Sequence, residues 1–210
     1  MNFYIKPLLL KTSLVFITLV TILPIEARMR WGATAGPTIN TFTFKQDLIP
    51  IHQNVGMTGG ITGEIIFPGI GIGLDLGLQY NMQGAQDDLG SRTIWSSLGY
   101  GNEKVILHNI KIPLHLRWKY TRLGGIEEKI APLIFGGPDF NIQVGHTNAS
   151  AFECSGGDLG LTAGLGAEVF KNWQITASYT WGMTYVLKTR LLDDFSARSR
   201  QWNINLTYFF

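Results

Sequence analysis

Apolar and polar residues alternate with a period of two along most of this chain. The last eleven residues show the pattern most clearly, because aromatic and aliphatic side chains occupy one face and uncharged polar side chains occupy the other. Such a period predicts β-strands rather than helices. Eight segments carry it: residues 29–44, 55–67, 72–82, 105–120, 130–144, 159–169, 173–185 and 200–210.

The fifth segment is the least regular of the eight. Pro132 and Pro138 interrupt it, and residues 133–135 are apolar on both faces. Proline cannot donate a hydrogen bond to a neighbouring strand, and an extra residue in one strand bends the sheet. We therefore expect a bent or bulged strand at these prolines.

The composition of the two faces predicts a membrane barrel. Aromatic residues near the strand ends, aliphatic residues between them and polar residues opposite suit lipid outside and a polar interior. A soluble barrel of the lipocalin type also alternates, but it needs charged residues on its surface. Residues 159–187 contain only Glu168 and Lys171 as charged residues. The predicted fold is therefore all-β, an eight-stranded antiparallel up-and-down transmembrane β-barrel.

The N-terminal segment resembles an export signal. Lys6 and Lys11 precede an apolar run over residues 12–23, and Ala27 supplies a small residue before a cleavage point. The alternative is an uncleaved anchor, but a membrane-spanning helix needs about 20 apolar residues. We predict a cleaved signal peptide at residues 1–27 and a single barrel domain at residues 28–210.

The predicted connections alternate between long and short. The long ones contain roughly ten, twenty, twelve and twelve residues, whereas 68–71 and 171–172 are turn-sized and 121–129 is intermediate. Short turns on the periplasmic side would place both termini in the periplasm of a Gram-negative cell. Aromatic residues then form two bands, with Trp31, Phe67, Trp118, Tyr120, Trp173, Tyr208 and Phe210 at the periplasmic rim and Tyr80, Tyr179, Trp181, Tyr185 and Trp202 at the outer rim.

Several charged residues fall on the inward faces of the predicted strands. The interior of an eight-stranded barrel is filled by side chains, so no open channel is expected. Unpaired charges in such a space are costly. We predict a buried ion network that satisfies the interior, with a proton path or gate as the alternative. Its members are Glu64, Asp75, Lys111, His115, Arg117, Lys119 and Glu168.

Other classes of function find little support. The net charge is only +2 and the basic residues are scattered, so no nucleic-acid surface is predicted. His146, Ser150, Glu153 and Cys154 share one connection and could be read as a nucleophile with a base, but exposed loops are rich in polar residues. The four histidines and one cysteine show no close ligand pair. We expect no enzyme activity, metal or cofactor.

The fourth segment also carries a resemblance to a known family. Its Asn109 and Ile112-Pro113-Leu114 resemble a strand of the PorT family of outer-membrane barrels from Bacteroidetes. Residues 132–138 resemble the strand that follows, and Trp31-Gly32 with Gly36 fits the opening strand. The resemblance implies a monomeric outer-membrane barrel, and the namesake of the family takes part in type IX protein secretion. It transfers no catalytic or binding residues.

Two hypotheses about function remain. The first is an accessory component of protein secretion or outer-membrane assembly, with membrane lipid and secretion or barrel-assembly subunits as partners. The second is a free-standing surface-recognition or structural barrel that acts through its extracellular loops. The connection at residues 83–104 carries Trp95 and Tyr100 as candidate contact aromatics. Packing of these two rings on the barrel rim is the alternative for them.

Overall fold

A closed antiparallel β-barrel forms the described part of the chain. The computed structural model describes residues 28–44, 51–67, 71–88, 102–120, 129–147, 152–189 and 196–210. Ten strands lie within these ranges: β1 Arg28–Phe44, β2 Ile51–Ile66, β3 Ile72–Asp88, β4 Asn102–Lys119, β5 Ile130–His146, β6 Phe152–Cys154, β7 Gly157–Val169, β8 Trp173–Gly182, β9 Leu187–Thr189 and β10 Ser196–Phe209.

Eight long strands close the barrel. Their order is β1-β2-β3-β4-β5-β7-β8-β10, and β1 pairs with β10 from Gly32↔Phe209 to Phe44↔Ala197. The short strands β6 and β9 pair with each other, and β9 extends the edge of β10. Every pair is antiparallel, which confirms the predicted eight-stranded antiparallel barrel. Within the described ranges, no helix is long and apolar enough to cross a membrane.

Burial in this barrel is the reverse of burial in a soluble protein. In β10, Gln201 is 1% exposed and faces the lumen, whereas the neighbouring Trp202 is 56% exposed on the outer face. The same alternation runs along β8, where Gln174, Thr176 and Ser178 are buried between exposed apolar neighbours. Because successive strand residues point to opposite faces, the period of two in the sequence becomes a polar lumen inside an apolar wall.

The two rims of the barrel carry different connections. We call the end that holds Arg28 and Phe210 the terminal rim, and the opposite end the distal rim. Aromatic rings lie at both. At the terminal rim, the Trp173 and Tyr208 ring centroids are 4.8 Å apart. At the distal rim, the Tyr179 centroid lies 4.6 Å from that of Trp181 and 4.7 Å from that of Trp202.

The strands at the distal rim are longer than their side-chain pattern predicts. The β3–β4 ladder continues to Asp88↔Asn102, so the connection predicted at 83–104 shrinks to residues 89–101. Likewise, β6 and β9 lie within segments predicted as loops, and β10 begins at Ser196. A strand needs an apolar face only where it contacts lipid, but its backbone hydrogen bonds continue beyond that level. The alternation of apolar and polar residues therefore predicts the strand ends poorly. Trp95, Tyr100 and the predicted signal peptide lie outside the described residues.

The irregularity of β5 does not lie where its prolines predict it. The register of β5 with β7 is unbroken from Ile130↔Val169 to Ile142↔Gly157. The register shift lies instead near the distal end, where His108 and Asn109 of β4 face Gly145 and Gln143. Around Pro138 the β4–β5 register is kept, but the ladder skips two residue pairs between Pro113↔Asp139 and Leu116↔Gly136. The missing N–H is therefore accommodated by an omitted ladder contact rather than by an extra residue.

Candidate functional site

Strand β4 delivers most of the positive charge to the lumen. Lys111, His115, Arg117 and Lys119 occupy alternate positions, and each is about 5–6% exposed. Since β4 pairs with β3 and β5, its inward side chains point towards carboxylates on those strands and across the lumen. The buried network thus takes most of its cations from one strand and its carboxylates from several others.

Arg117 lies at the centre of the network near the terminal rim. Its Nε donates to Asp75 Oδ2 at 2.8 Å, and its Nη2 lies 2.7 Å from the same oxygen. Its Nη1 donates to Glu64 Oε1 at 2.7 Å and to Gln174 Oε1 at 2.8 Å. One guanidinium therefore links β4 to β2, β3 and β8, and its fork of donors suits this role.

A second arginine closes the network at the terminal rim. Arg30 donates to Glu64 and Glu168, its Nη1 donates to the Lys171 carbonyl at 2.8 Å, and it lies 4.6 Å above the Phe209 ring. Our sequence prediction omitted Arg30. Its signal was present, since Arg30 precedes the outward-facing Trp31 and must point inward.

Lys119 connects the same two carboxylates from the opposite side. Its Nζ lies 2.9 Å from Glu168 Oε2 and 3.6 Å from Glu64 Oε1. Glu64 is completely buried and contacts three cations, Arg30, Arg117 and Lys119. These contacts offset the cost of removing its carboxylate from water.

A separate cluster surrounds Asp139 further along the lumen. Asp139 is completely buried, and its oxygens lie 2.8 Å from both Lys111 Nζ and His115 Nε2. The Thr162 hydroxyl donates to it as well. Our sequence prediction missed Asp139, because apolar residues on both faces of residues 133–135 obscured which positions of β5 face inward. The structure places Lys111 and His115 in this cluster. The other five predicted members lie in the network around Arg117 near the terminal rim: Glu64, Asp75, Arg117, Lys119 and Glu168.

Towards the distal rim the lumen is filled mainly by amides. Gln201 Nε2 donates to Asn40 Oδ1 at 2.7 Å and to Asn81 Oδ1 at 2.9 Å. Asp158 accepts from Asn141 at 3.2 Å and from the Ser199 hydroxyl at 3.5 Å. Two of these bonds join directly paired strands, β1 with β10 and β5 with β7, and the other two join strands that are separated by one or two others.

Side chains leave little free space along the axis. A polar cavity of about 50 Å³ lies between the two ion clusters and is lined by Asp75, His115, Arg117 and Gln174 among others. That volume holds a few water molecules at most. Buried apolar side chains narrow both ends, with Leu133 and Phe209 towards the terminal rim and Phe42 and Leu107 towards the distal rim. Within the described residues, the lumen is a packed core and not a channel.

The described residues offer no assembled reaction centre. They contain no group of three or more His, Cys, Asp or Glu side chains suited to a metal ion. His146 is exposed and lies 3.1 Å from the Gln143 side-chain amide. The side chains of Ser150, Glu153 and Cys154, which could be read with it as a nucleophile set, lie outside the described structure.

Comparison with protein families finds one match. The family model described as "Outer membrane protein beta-barrel domain" matches residues 23–188, which is well over half of the chain. No curated protein matches the sequence.

Comparison with solved structures finds small barrels of similar shape. Neisserial surface protein A is 11% identical, with 86% of this chain and 97% of that chain covered and a TM-score of 0.45. Ail, the attachment invasion locus protein of Yersinia pestis, is 12% identical, with 86% and 98% covered and a TM-score of 0.40. Outer membrane protein W of E. coli is 14% identical, with 89% and 100% covered and a TM-score of 0.38.

Proposed function

The chain belongs to the outer membrane protein beta-barrel domain family, and on that premise we propose that it is a sealed, non-enzymatic accessory component of protein secretion or outer-membrane assembly. Its location is the outer membrane. The resemblance of residues 109–114 and 132–138 to the PorT family supports the finer assignment to a machine of the type IX kind. Its partners would be membrane lipid and subunits of that machine.

The packed lumen is the observation that carries this proposal. Arg30, Glu64, Arg117 and Glu168 cross-link the interior near one rim, and Asp139 cross-links its middle. A barrel without a passage does not serve as a diffusion pore. Its outer wall and rims are then the surfaces through which it acts, which is the requirement for a subunit that binds others in the membrane.

We place both termini in the periplasm. Two of the three connections at the terminal rim are turn-sized, around residues 67–72 and 169–173, and the third spans residues 120–129. The distal rim carries the ends of the long ladders. Bacterial barrels of this type have short periplasmic turns and longer extracellular connections. The distal rim would then face the outside of the cell.

A free-standing surface barrel is the second candidate, and one observation favours it. The β3–β4 ladder continues six residue pairs beyond Met82↔His108, to Asp88↔Asn102, and therefore projects past the aromatic residues of the distal rim. A projecting hairpin offers its connection, residues 89–101, to a ligand outside the membrane. Trp95 and Tyr100 are the candidate contact residues there.

Purification of the protein from its native membrane separates the two candidates. A tagged chain is cross-linked in cells, extracted from outer membranes in detergent and analysed by quantitative mass spectrometry. Stoichiometric recovery of secretion or barrel-assembly subunits, with surface cargo retained in the periplasm of a deletion strain, supports the accessory role. Recovery of the barrel alone, with normal cargo export, contradicts it.

A variant with a shortened hairpin is the matched control. Replacing residues 86–104 with a two-residue turn removes the outer three pairs of the projecting ladder together with its connection, and keeps the β3–β4 pairing up to Ala85↔Val105. If partners are lost with this variant, the contact lies on the hairpin, and if they are retained, it lies on the wall. In planar bilayers, the wild-type protein should show no regular conductance steps, and such steps would overturn the sealed lumen.

A further inference from the structure

The outer surface of the barrel has an uneven distribution of charge. Every carboxylate whose side chain the structure describes is buried in the lumen: Glu64, Asp75, Asp139, Asp158 and Glu168. On the outer surface of the described barrel, two arginines lie towards the distal rim on β10. These are Arg198 and Arg200, which lie four and two residues before Trp202 and therefore on the same outward face of the strand. No described carboxylate faces them.

Aromatic side chains surround these two arginines. The Arg198 guanidinium carbon lies 4.9 Å from the centre of the Tyr185 ring. Arg200 pairs in register with Trp181 of β8, and its Nη1 lies 3.5 Å from the Gly182 carbonyl oxygen. Neither contact neutralises a guanidinium, because one partner is a ring and the other is an uncharged carbonyl.

Their depth in the membrane follows from the strand. Trp202, which contacts Tyr179, is one outward position below Arg200, and Arg198 is one outward position above it. Outward positions on one strand are about 7 Å apart. Trp and Tyr rings lie at the level of lipid headgroups. Two guanidinium groups directly above such rings are therefore at the depth of the headgroup phosphates.

We propose that Arg198 and Arg200, with the Tyr185 ring against Arg198 and the Trp181 ring beside Arg200, form a binding site for the phosphate group of a membrane lipid. Guanidinium binds phosphate through two parallel hydrogen bonds, and a flat ring beside the acyl chains completes an amphipathic site. The assignment of that lipid to the outer leaflet rests on the orientation proposed above. The binding itself does not depend on orientation.

Lipid binding to the purified protein tests the site. The barrel in detergent is titrated with phosphatidic acid or with phosphatidylcholine of the same acyl chains, and retained lipid is measured by native mass spectrometry. The wild type should prefer phosphatidic acid by roughly thirtyfold, which is the ratio given by about 2 kcal/mol from two arginines near an anionic headgroup. Arg198→Gln/Arg200→Gln should reduce the preference to within about twofold.

Two further variants separate this site from general charge effects. Lys129→Gln/Lys171→Gln removes the same charge at the terminal rim, keeps the Lys171 carbonyl that Arg30 contacts, and should retain the wild-type preference. Arg198→Lys/Arg200→Lys keeps the charge without the planar fork and should bind with intermediate strength. The faster migration of unheated samples in electrophoresis checks that each barrel is folded.

The outcomes are distinct. An unchanged preference in Arg198→Gln/Arg200→Gln, or an equal loss in the terminal-rim variant, overturns the site. Displacement of the lipid by millimolar inorganic phosphate identifies a free-phosphate site and overturns the lipid assignment. If the binding holds but labelling of intact cells places residue 198 in the periplasm, the proposed orientation is wrong and the lipid site stands.

Discussion

Replacement of Arg117 by methionine should destabilise the barrel strongly. Arg117 is 5% exposed, and its guanidinium bonds Asp75, Glu64 and Gln174 at 2.7 to 2.8 Å. Without it, Glu64 keeps two other cations, but Asp75 loses the only cation that an ion pair gives it in the described structure. Removal of one partner from a buried ion pair costs about 3–5 kcal/mol. We expect a loss of about 4 kcal/mol.

Urea unfolding of the barrel in lipid vesicles measures this loss. Tryptophan fluorescence reports the transition, because the Trp side chains at both rims leave the lipid on unfolding. With a denaturant dependence of about 2 kcal/mol per molar urea, the unfolding midpoint should fall by about 2 M. The Arg117→Glu variant, which adds a third carboxylate to the site, should fold less well than Arg117→Met.

A double variant separates the ion pair from simple packing. Arg117→Met/Asp75→Asn leaves no uncompensated carboxylate at this site, so its stability should lie closer to wild type than that of Arg117→Met. None of these variants should conduct ions in planar bilayers. The reasoning is refuted if Arg117→Met unfolds at the wild-type midpoint, if the double variant recovers nothing, or if Arg117→Glu opens a steady conductance.

Two further substitutions test the wall and the membrane face. Gly36→Ala should prevent folding, because an added Cβ would clash with the Ile204 carbonyl oxygen of β10. Gly59→Ala should fold, because its Cβ would meet its nearest atom at 3.4 Å. Refolding yields in vesicles compare the two variants, and equal yields contradict the prediction. Leu165→Arg places a charge on a side chain 65% exposed to the outer face and should cost about 2–4 kcal/mol. Thr43→Arg, near the distal rim, should cost about 1 kcal/mol or less in the same urea assay, and similar costs for both would argue against a lipid-facing wall.

The pairing of charges was only partly predictable from the sequence. The alternation of side chains along β4 indicated that four basic residues share one face, and the structure places all four in the lumen: Lys111, His115, Arg117 and Lys119. The face on which a side chain lies does not indicate which carboxylate each cation contacts. The Arg30–Glu64 contact joins residues 34 positions apart, and the Arg30–Glu168 contact joins residues 138 positions apart. Arg30 and Glu64 are directly paired in the β1–β2 register, whereas Glu168 lies on β7, three strands from β1 around the barrel. Such partners therefore depend on strand register and on the closure of the barrel.

The sequence by itself determined the strand class, the number of barrel strands and, except in β5, the face on which most strand side chains lie. These properties follow from the local alternation of side chains along each strand, which a single sequence displays. Tertiary structure alone decided where the ladders end at the distal rim, how β5 accommodates Pro138, and how Asp139 and Arg30 complete the ion clusters. Backbone pairing and contacts across the lumen join residues that are distant in sequence, so no local pattern records them.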